Sequence, residues 1–314
     1  MDAPLDRAAL SAKLRKLAAK QLYIGTSSWK YEGWLGNIYT PERYLTRGKL
    51  SRAKFEANCI AEYAETFPTV CGDFSFYQFP KPEFWDKLFS SSPPSLIFGL
   101  KVCEEITCKK FPSHPRYGAR AGMENPNYLD PNLLQTAFLE PLAPYRDRIG
   151  PLIFEFGTFS KEAYDEPRRF FDDLNGFLAS LPPGWRYSVE IRNSSYLVPE
   201  YFQMLRQNGA AHVLNGWTRM PPIESQLKIP DVFTADFVVV RALLRQGRPY
   251  ETAVKTFAPY THVQDPLPDT RQAIWDLMEV SRKRGTPAYA YVNNRLEGFA
   301  PGTIAGILDQ PADP

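Results

Sequence analysis

Arg186-Tyr-Ser-Val-Glu-Ile-Arg192 is a short apolar run that predicts a buried β-strand. Residues two apart on a strand share a face, so Glu190 and Arg192 point to one side and the apolar residues between them to the other. A charged side chain on a buried strand is costly unless it is paired or takes part in function. This run therefore indicates a polar centre as well as an element of the fold.

Similar runs recur along the whole chain. We predict eight strands, at Leu22–Thr26, Thr69–Asp73, Leu96–Val102, Leu152–Phe156, Tyr187–Arg192, Ala210–Leu214, Phe237–Arg241 and Ala288–Asn293. Helical patterns lie between most of them and begin at capping residues such as Ser51 and Asp130. Eight strand–helix units in 314 residues favour an α/β fold, a single closed (β/α)8 TIM-type barrel. An open doubly wound sheet is the alternative, but the chain lacks GxGxxG after the first strand and GxxxxGK[ST] throughout.

The chain shows no linker or repeat that would divide it, so we predict one barrel domain over residues 22–314. Before it, residues 1–21 carry Leu10, Leu14 and Leu17 at helical spacing. This pattern predicts an amphipathic helical extension packed on the body, with attachment to a membrane surface as the alternative.

Composition narrows the class of protein. The formal net charge is +2, so nothing global indicates binding to nucleic acid or to acidic membranes. Four cysteines without a CxxC pair predict reduced thiols in a cytoplasmic protein. No run approaches the ~18 apolar residues of a membrane span. We therefore expect no membrane partner, and the oligomeric state stays open.

Polar residues stand at the ends of other predicted strands as well, namely Asp73, Lys101, Glu155, Arg241 and Asn293. The carboxyl ends of parallel barrel strands meet at one face, which is where barrel proteins keep their sites. Long segments follow several of these strands, and loops of this kind build binding sites. The sequence therefore predicts a site at this end of the barrel.

Several short motifs follow one another in an order and spacing typical of a known family. They are Gly25-Thr-Ser-Ser-Trp-Lys-Tyr31 with Trp34 and Tyr39-Thr-Pro41, Phe76-Tyr77, Phe98-Gly-Leu-Lys101, Gly150-Pro-Leu-Ile-Phe154, Glu190-Ile-Arg192, Val238-Val-Val-Arg241, and Asn293-Asn294 with Gly298-Phe-Ala300. Together they resemble the YecE-like family (domain of unknown function 72), from about Leu22 to near the C-terminus. The resemblance implies a TIM-type barrel and no particular reaction.

The chain departs from the family's usual pattern at several positions. Three positions where the family usually has histidine hold Cys108, Asn193 and Leu243. Other departures are Cys71 and Asp73 for a glutamate and an asparagine, Glu155 for a glutamine, and Arg295 for an acidic residue. If the family's chemistry needs those imidazoles, this chain has altered or lost it.

Our main hypothesis for the site is an anion-binding centre formed by Lys101, Glu190, Arg192 and Arg241. Guanidinium groups bind carboxylate or phosphate bidentately, and lysine adds a point charge. Three cations beside one or two carboxylates would leave positive charge unmatched. Glu190 is the first candidate for proton transfer, with Asp73 and Glu155 behind it. The alternative is an internal ion-pair network that only fills the barrel mouth.

Aromatic residues after the first two strands form a second candidate surface, namely Trp29, Tyr31, Trp34, Tyr39, Phe76 and Tyr77. They would stack on a sugar or base. With four loop arginines, Arg116, Arg120, Arg245 and Arg248, they would also bind nucleic acid. The alternative is a lid that packs on itself. Asn293 and Asn294 either donate hydrogen bonds to a ligand or form a turn.

Metal and thiol chemistry have weaker signals. Asp73, Glu155 and Glu190 would suit a hard cation, but no histidine shows HxH or HExxH spacing, so we predict no metal and no cofactor. His212 is interpreted as a packed residue on the sixth strand. The thiols of Cys71, Cys103 and Cys108 are interpreted as small buried groups. Asp269 and Arg271 are interpreted as surface charge.

These observations favour a barrel enzyme that acts on a small anionic substrate, phosphorylated or carboxylated, by metal-independent acid–base chemistry. Hydrolysis or isomerisation fits such a site better than redox chemistry. One alternative is a non-catalytic barrel that binds a nucleic acid or a phosphorylated ligand, and another is a scaffold that works only through protein contacts. The sequence does not identify the substrate, the reaction or the physiological role.

Overall fold

The structure is a computed structural model that describes residues 5–310. Eight parallel strands pair in chain order and close between the first and the last, which confirms the predicted TIM-type barrel. The strands are β1 (Leu22–Thr26), β2 (Thr69–Gly72), β3 (Ile97–Lys101), β4 (Ile149–Glu155), β5 (Arg186–Glu190), β6 (Ala211–Gly216), β7 (Val238–Ala242) and β8 (Ala288–Val292).

The helices fill the connections between the strands. They are α1 (Arg7–Ala18), α2 (Arg52–Thr66), α3 (Pro82–Ser90), α4 (Glu104–Thr107), α5 (Pro131–Leu134), α6 (Glu140–Leu142), α7 (Pro167–Ala179), α8 (Pro199–Gln207), α9 (Ile223–Gln226), α10 (Tyr250–Phe257), α11 (Pro268–Arg284), α12 (Asn294–Glu297) and α13 (Ala300–Leu308). A π-helical turn, Gln135–Leu139, joins α5 to α6. Short 3-10 turns lie at Glu32–Trp34, Pro41–Tyr44, Pro115–Arg120, Ala143–Arg148 and Ser194–Tyr196, and a small hairpin pairs Leu45–Thr46 with Lys49–Leu50.

Local capping signals explain where several helices begin and end. The Ser51 hydroxyl accepts a hydrogen bond from the Lys54 backbone N–H at the start of α2. Asp130 accepts from two backbone N–H groups at the start of α5. Gly285 ends α11 with φ 66°, a left-handed conformation that glycine adopts at little cost. The predicted starts of α2 and α5 are confirmed.

The barrel interior is apolar below its mouth. Cys71, Ile153, Val239 and Tyr291 pack there in one buried cluster. A Cβ atom on Gly99 would lie 2.3 Å from the Tyr291 hydroxyl, so only glycine leaves room for this ring. The packed interior places any polar site above it, at the carboxyl ends of the strands.

The N-terminal helix α1 packs on the barrel through Leu10 and Leu14, which are buried. Arg7 pairs with Glu62 on α2 at 3.0 Å. Residues 1–4 and 311–314, the ends of the predicted extension and barrel domain, lie outside the described residues, and the division at residue 22 stays a prediction. Within residues 5–310, no helix combines the length and the apolar character that a membrane span requires.

Candidate functional site

Six charged side chains meet at the carboxyl ends of the strands, and we call them the mouth cluster: Asp73, Lys101, Glu155, Glu190, Arg192 and Arg241. They come from five strands or from the residues directly after them. Each charged residue stands at or near the carboxyl end of its strand, so the strands deliver the six side chains to the same end of the barrel. The structure therefore brings together the six charged residues that the sequence predicts as a site.

Glu155 is the centre of the mouth cluster. Its Oε2 lies 3.0 Å from Lys101 Nζ, 3.0 Å from Arg192 Nη2 and 2.7 Å from Arg241 Nη1. Burial alone would raise the pKa of this carboxyl, but the three cations outweigh burial and hold the pKa well below its usual range. Glu155 therefore stays ionised at neutral pH and does not act as a proton donor there.

Glu190 lies beside Glu155 on the adjacent strand and contacts both arginines. Its Oε1 accepts from Arg192 Nε at 2.8 Å, and its Oε2 pairs with Arg241 Nη1. Glu155 and Glu190 are register partners on adjacent strands, so their like charges would repel without the guanidinium groups around them. Glu190 has no exposed surface. Its role in proton transfer stays a prediction, and its burial favours a role in positioning the arginines.

Asp73 is the most open member of the mouth cluster, with 40% of its side chain exposed. Its Oδ1 is 3.7 Å from both Lys101 Nζ and Arg241 Nη2, longer than a hydrogen bond. Among residues 5–310, this buried oxygen has no hydrogen-bond donor, and Arg241 Nε has no acceptor. Asp73 therefore makes the longest ion pairs of the mouth cluster, whereas the other carboxylates are paired at hydrogen-bond distance.

The charges of the mouth cluster balance, with three cations and three carboxylates. The expected surplus of positive charge is therefore wrong. Asp73 supplies the third carboxylate, and sequence alone did not show that it reaches both Lys101 and Arg241. Any ligand anion has to compete with a carboxylate that is already there.

Two aromatic rings lie against the cations of the mouth cluster. Lys101 Nζ is 3.6 Å from the centre of the Phe76 ring, and the Arg192 guanidinium is 3.8 Å from the centre of the Trp217 ring. Such cation–π contacts stabilise charges whose hydration is reduced. Trp217 was missed as a site residue, although it stands directly after β6, where this architecture places site residues.

Most of the predicted aromatic surface forms a lid that packs on itself. Trp29, Trp34 and Tyr39 are buried. Tyr31 contacts the Trp34 ring at a centroid distance of 4.9 Å. Tyr77 differs, since it is 58% exposed. The packed-lid alternative therefore describes the rings after β1, whereas Tyr77 stays accessible to a ligand.

The four loop arginines do not form one basic surface. Arg116 pairs with Glu104 at 2.6 Å and Arg120 with Glu105 at 2.9 Å. The other two, Arg245 and Arg248, share the Asp265 carboxylate. Because all four arginines pair with carboxylates, much of the positive charge that a nucleic acid would need is cancelled.

The side chains of the paired asparagines stabilise a turn. The Asn293 side chain accepts from the Arg295 backbone N–H at 2.9 Å and donates to the Ser27 hydroxyl. The Asn294 side chain accepts from the Ala300 backbone N–H at 2.8 Å. Both asparagines are buried. This arrangement favours the turn-forming interpretation, and contact with a ligand stays a prediction.

The cysteines are unsuited to nucleophilic attack. Burial raises the pKa of the Cys71 thiol to about 12 and those of Cys103 and Cys108 to about 11. A thiol with such a pKa is protonated at neutral pH, and the thiolate is the reactive form. This agrees with the interpretation of these cysteines as small packed groups, although Cys108 is only half-buried.

His212 is a packed residue of β6, as predicted. Its ring lies edge-on to Phe202, and its Nδ1 is 3.2 Å from the Tyr201 hydroxyl on α8. Burial lowers the pKa of this imidazole to about 4. Across residues 5–310, no three His, Cys, Asp or Glu side chains are grouped so that they would hold a metal ion.

Comparison with known proteins supports the fold. The family described as "Protein of unknown function DUF72" matches residues 23–312. The chain is similar to a DUF72 family protein from Enterococcus faecalis V583, with 18% identity, a TM-score of 0.58, and coverage of 93% of this chain and 97% of that one. It is also similar to one from Thermotoga maritima MSB8, with 18% identity, a TM-score of 0.56, and coverage of 91% and 96%. Among curated proteins, none matches.

Proposed function

Because this chain belongs to the DUF72 family, whose description assigns no activity, we propose a function from the geometry of its own residues. We propose an enzyme that binds a small phosphorylated or carboxylated substrate at the mouth cluster and acts on it by metal-independent acid–base chemistry. The observation that carries the proposal is the position of the Asp73 carboxylate relative to Lys101 and Arg241. This carboxylate is partly exposed, and its Oδ1 lies 3.7 Å from both Lys101 Nζ and Arg241 Nη2.

Asp73 acts as an internal counter-ion in the absence of substrate. Burying Lys101 and Arg241 with unmatched charge would be costly, and a nearby carboxylate reduces that cost. Its distance of 3.7 Å to each cation makes its own contribution small, so an incoming acid can replace it. Glu155 binds both cations at hydrogen-bond distance and Glu190 binds Arg241, so these two carboxylates stay in place.

The displaced Asp73 carboxylate is then the group best placed for proton transfer to or from the bound substrate. Glu190 keeps Arg192 and Arg241 oriented, as its contacts with both arginines indicate. Glu155 remains ionised and stabilises the cations. This division of roles suits hydrolysis or isomerisation of an acidic substrate.

Binding of inorganic phosphate, measured by titration calorimetry, tests the anion site. Asp73→Asn removes the competing charge and is expected to tighten phosphate binding several-fold, about 1 kcal/mol. Lys101→Met removes one cation and is expected to weaken it about tenfold or more. Lys161→Met, at an exposed lysine outside the mouth cluster, is the matched control. Equal affinity in all four proteins would contradict the proposal.

Turnover separates an enzyme from a binding protein. We expect a panel of small phosphate and carboxylate compounds, followed by NMR, to contain a substrate of the wild-type protein. Asp73→Asn should bind that compound at least as tightly and fail to convert it. Tight binding with no conversion by the wild-type protein would instead support the non-catalytic alternative.

One observation favours that alternative, a barrel that binds a nucleic acid or phosphorylated ligand without turnover. Tyr77 is exposed at the rim, and the Arg116 guanidinium lies 4.8 Å from its ring centre. An exposed ring beside an arginine suits stacking of a base. Nucleic-acid binding would show an affinity that falls steeply with salt concentration and with Tyr77→Ala.

A cytoplasmic location also remains a proposal. Its support is that the four cysteines are free thiols in the structure. Reduced cysteines are typical of proteins in that compartment.

A further inference from the structure

A separate pocket opens beside the mouth cluster, between the segments that follow β1 and β2 and the helices α2 and α3. We call it the side pocket, and its volume is about 330 Å³. Its apolar walls are Trp29, Ile60, Phe74, Phe84 and Leu88. Concave, mainly apolar pockets of this size bind small molecules in many proteins.

Asp73 is the residue that joins the side pocket to the mouth cluster. It lines the side pocket, and its Oδ1 also lies 3.7 Å from Lys101 Nζ and Arg241 Nη2. A ligand whose acid replaces Asp73 at the two cations would therefore border the side pocket. The two regions are neighbouring parts of one surface.

Trp29, in the wall of the side pocket, carries an unpaired polar group. Its side chain lines the pocket and is only 5% exposed. Its indole N–H is buried and has no acceptor within residues 5–310, and the buried Asp73 Oδ1 has no donor. Buried polar groups normally find partners, so a bound ligand with a polar group would satisfy what the protein leaves unpaired.

We propose that the side pocket binds the apolar body of the substrate while its acidic group binds at the mouth cluster. The substrate is then a small aryl or alkyl phosphate or carboxylate, not an inorganic anion or a wholly polar sugar acid. This inference rests on the proposed function, because it uses the same cations to hold the acid.

Two probes that differ only in an apolar group test the inference: inorganic phosphate and phenyl phosphate. Burial of the phenyl ring in the side pocket should make phenyl phosphate bind about tenfold or more tightly by calorimetry. Ala57→Phe places a ring in the pocket from an exposed position of α2 and should remove this preference. Binding of inorganic phosphate should not change.

Ala53→Phe is the matched control, since it adds the same ring to an exposed position of α2 outside the pocket lining. It should keep the preference for phenyl phosphate. Thermal unfolding checks that each variant folds. If Ala57→Phe does not fold, Phe84→Ala removes a partly exposed wall of the pocket and should reduce the preference several-fold.

The outcomes distinguish the two proposals. Equal affinity for both probes in the wild-type protein, or a preference that survives both pocket variants, overturns the side pocket and leaves the anion site standing. A protein that binds neither probe overturns the proposed function, and the inference fails with it.

Discussion

Two of the regions in which the barrel buries ionisable groups are built differently. In the outer layer, between helices, Glu297 is clamped by Arg271, whose Nη2 lies 2.6 Å from Oε2, and by the Leu267 backbone N–H, 2.6 Å from Oε1. We call this group the Glu297 clamp. At the barrel mouth, three cations share three carboxylates, and the Asp73 and Arg241 side chains each keep a buried polar atom unpaired within residues 5–310.

This difference distinguishes a structural charge from a candidate functional one. The Glu297 clamp uses both carboxylate oxygens and joins α11 to α12. The mouth cluster has unused hydrogen-bonding capacity, which a ligand can fill. The interpretation of Arg271 as surface charge is wrong, because its guanidinium turns back onto a buried carboxylate from the next helical segment.

The largest effect on stability is expected from Glu297→Ala. It leaves the Arg271 guanidinium and the Leu267 N–H without their partner, which should lower the free energy of unfolding by about 3–5 kcal/mol. Phosphate affinity should not change. Denaturant unfolding and calorimetry measure the two quantities. The control is Glu279→Ala on α11, whose carboxylate pairs with the partly exposed Arg282. Similar losses in both variants would contradict a structural role for the clamp.

His212 tests the outer layer by pH. Burial lowers the pKa of its imidazole from 6.5 to about 4, so the unfolded chain takes up a proton at a higher pH than the folded one. Its stability contribution is present above pH 6.5 and is lost as the pH falls through about 4, a total of about 3 kcal/mol.

The variant His212→Gln should lose this component of the pH dependence, measured by denaturant unfolding between pH 7 and pH 4. His262→Gln provides a control for loss of a histidine at an exposed position. If His212→Gln keeps the wild-type slope, burial of His212 does not contribute to the acid sensitivity of the fold.

A smaller effect is expected where Trp217 lies over Arg192. A cation–π contact of this kind contributes about 1 kcal/mol. A double-mutant cycle of Trp217→Leu and Arg192→Met should give a coupling energy of about that size in the free energy of unfolding. A coupling energy near zero would show that Trp217 packs there without stabilising the cation.

The smallest effect on stability is expected from Asp73→Asn. Its carboxylate is partly exposed and lies beyond hydrogen-bond distance from both cations, so the free energy of unfolding should change by about 0.5 kcal/mol or less. Glu155→Gln, at the centre of the same cluster, should cost about 2 kcal/mol or more. If the two variants lose similar free energies of unfolding, Asp73 and Glu155 do not differ in how strongly they are paired.

Strands were predictable because their signal is local. All eight predicted strands are present, and period-two alternation placed Glu190 and Arg192 on one side without knowledge of any neighbour. Strand ends were less predictable. β4 begins at Ile149 rather than Leu152, because Ile149 pairs with Phe98 on β3, and the end of a ladder depends on the partner strand.

The members of the mouth cluster were predictable from the sequence, and their pairing was not. Lys101, Glu155 and Arg241 stood out as charges at the ends of apolar strands. Trp217 gave a weaker signal, since an aromatic residue after a strand is as often part of the core. Arg271 gave none, because its partner Glu297 is 26 residues away and on a different helix.

The sequence alone determined the alternation of strands and helices, and which strands end in charge, because both follow from the pattern of neighbouring side chains. Only the tertiary structure decided which charges cancel. Barrel closure brings Oδ1 of Asp73, which follows β2, to 3.7 Å from Arg241 Nη2 on β7, although the two residues are far apart in the sequence. Electrostatic energy depends on the distance between charges and on their burial, and for residues far apart in the sequence only the tertiary structure sets these two quantities.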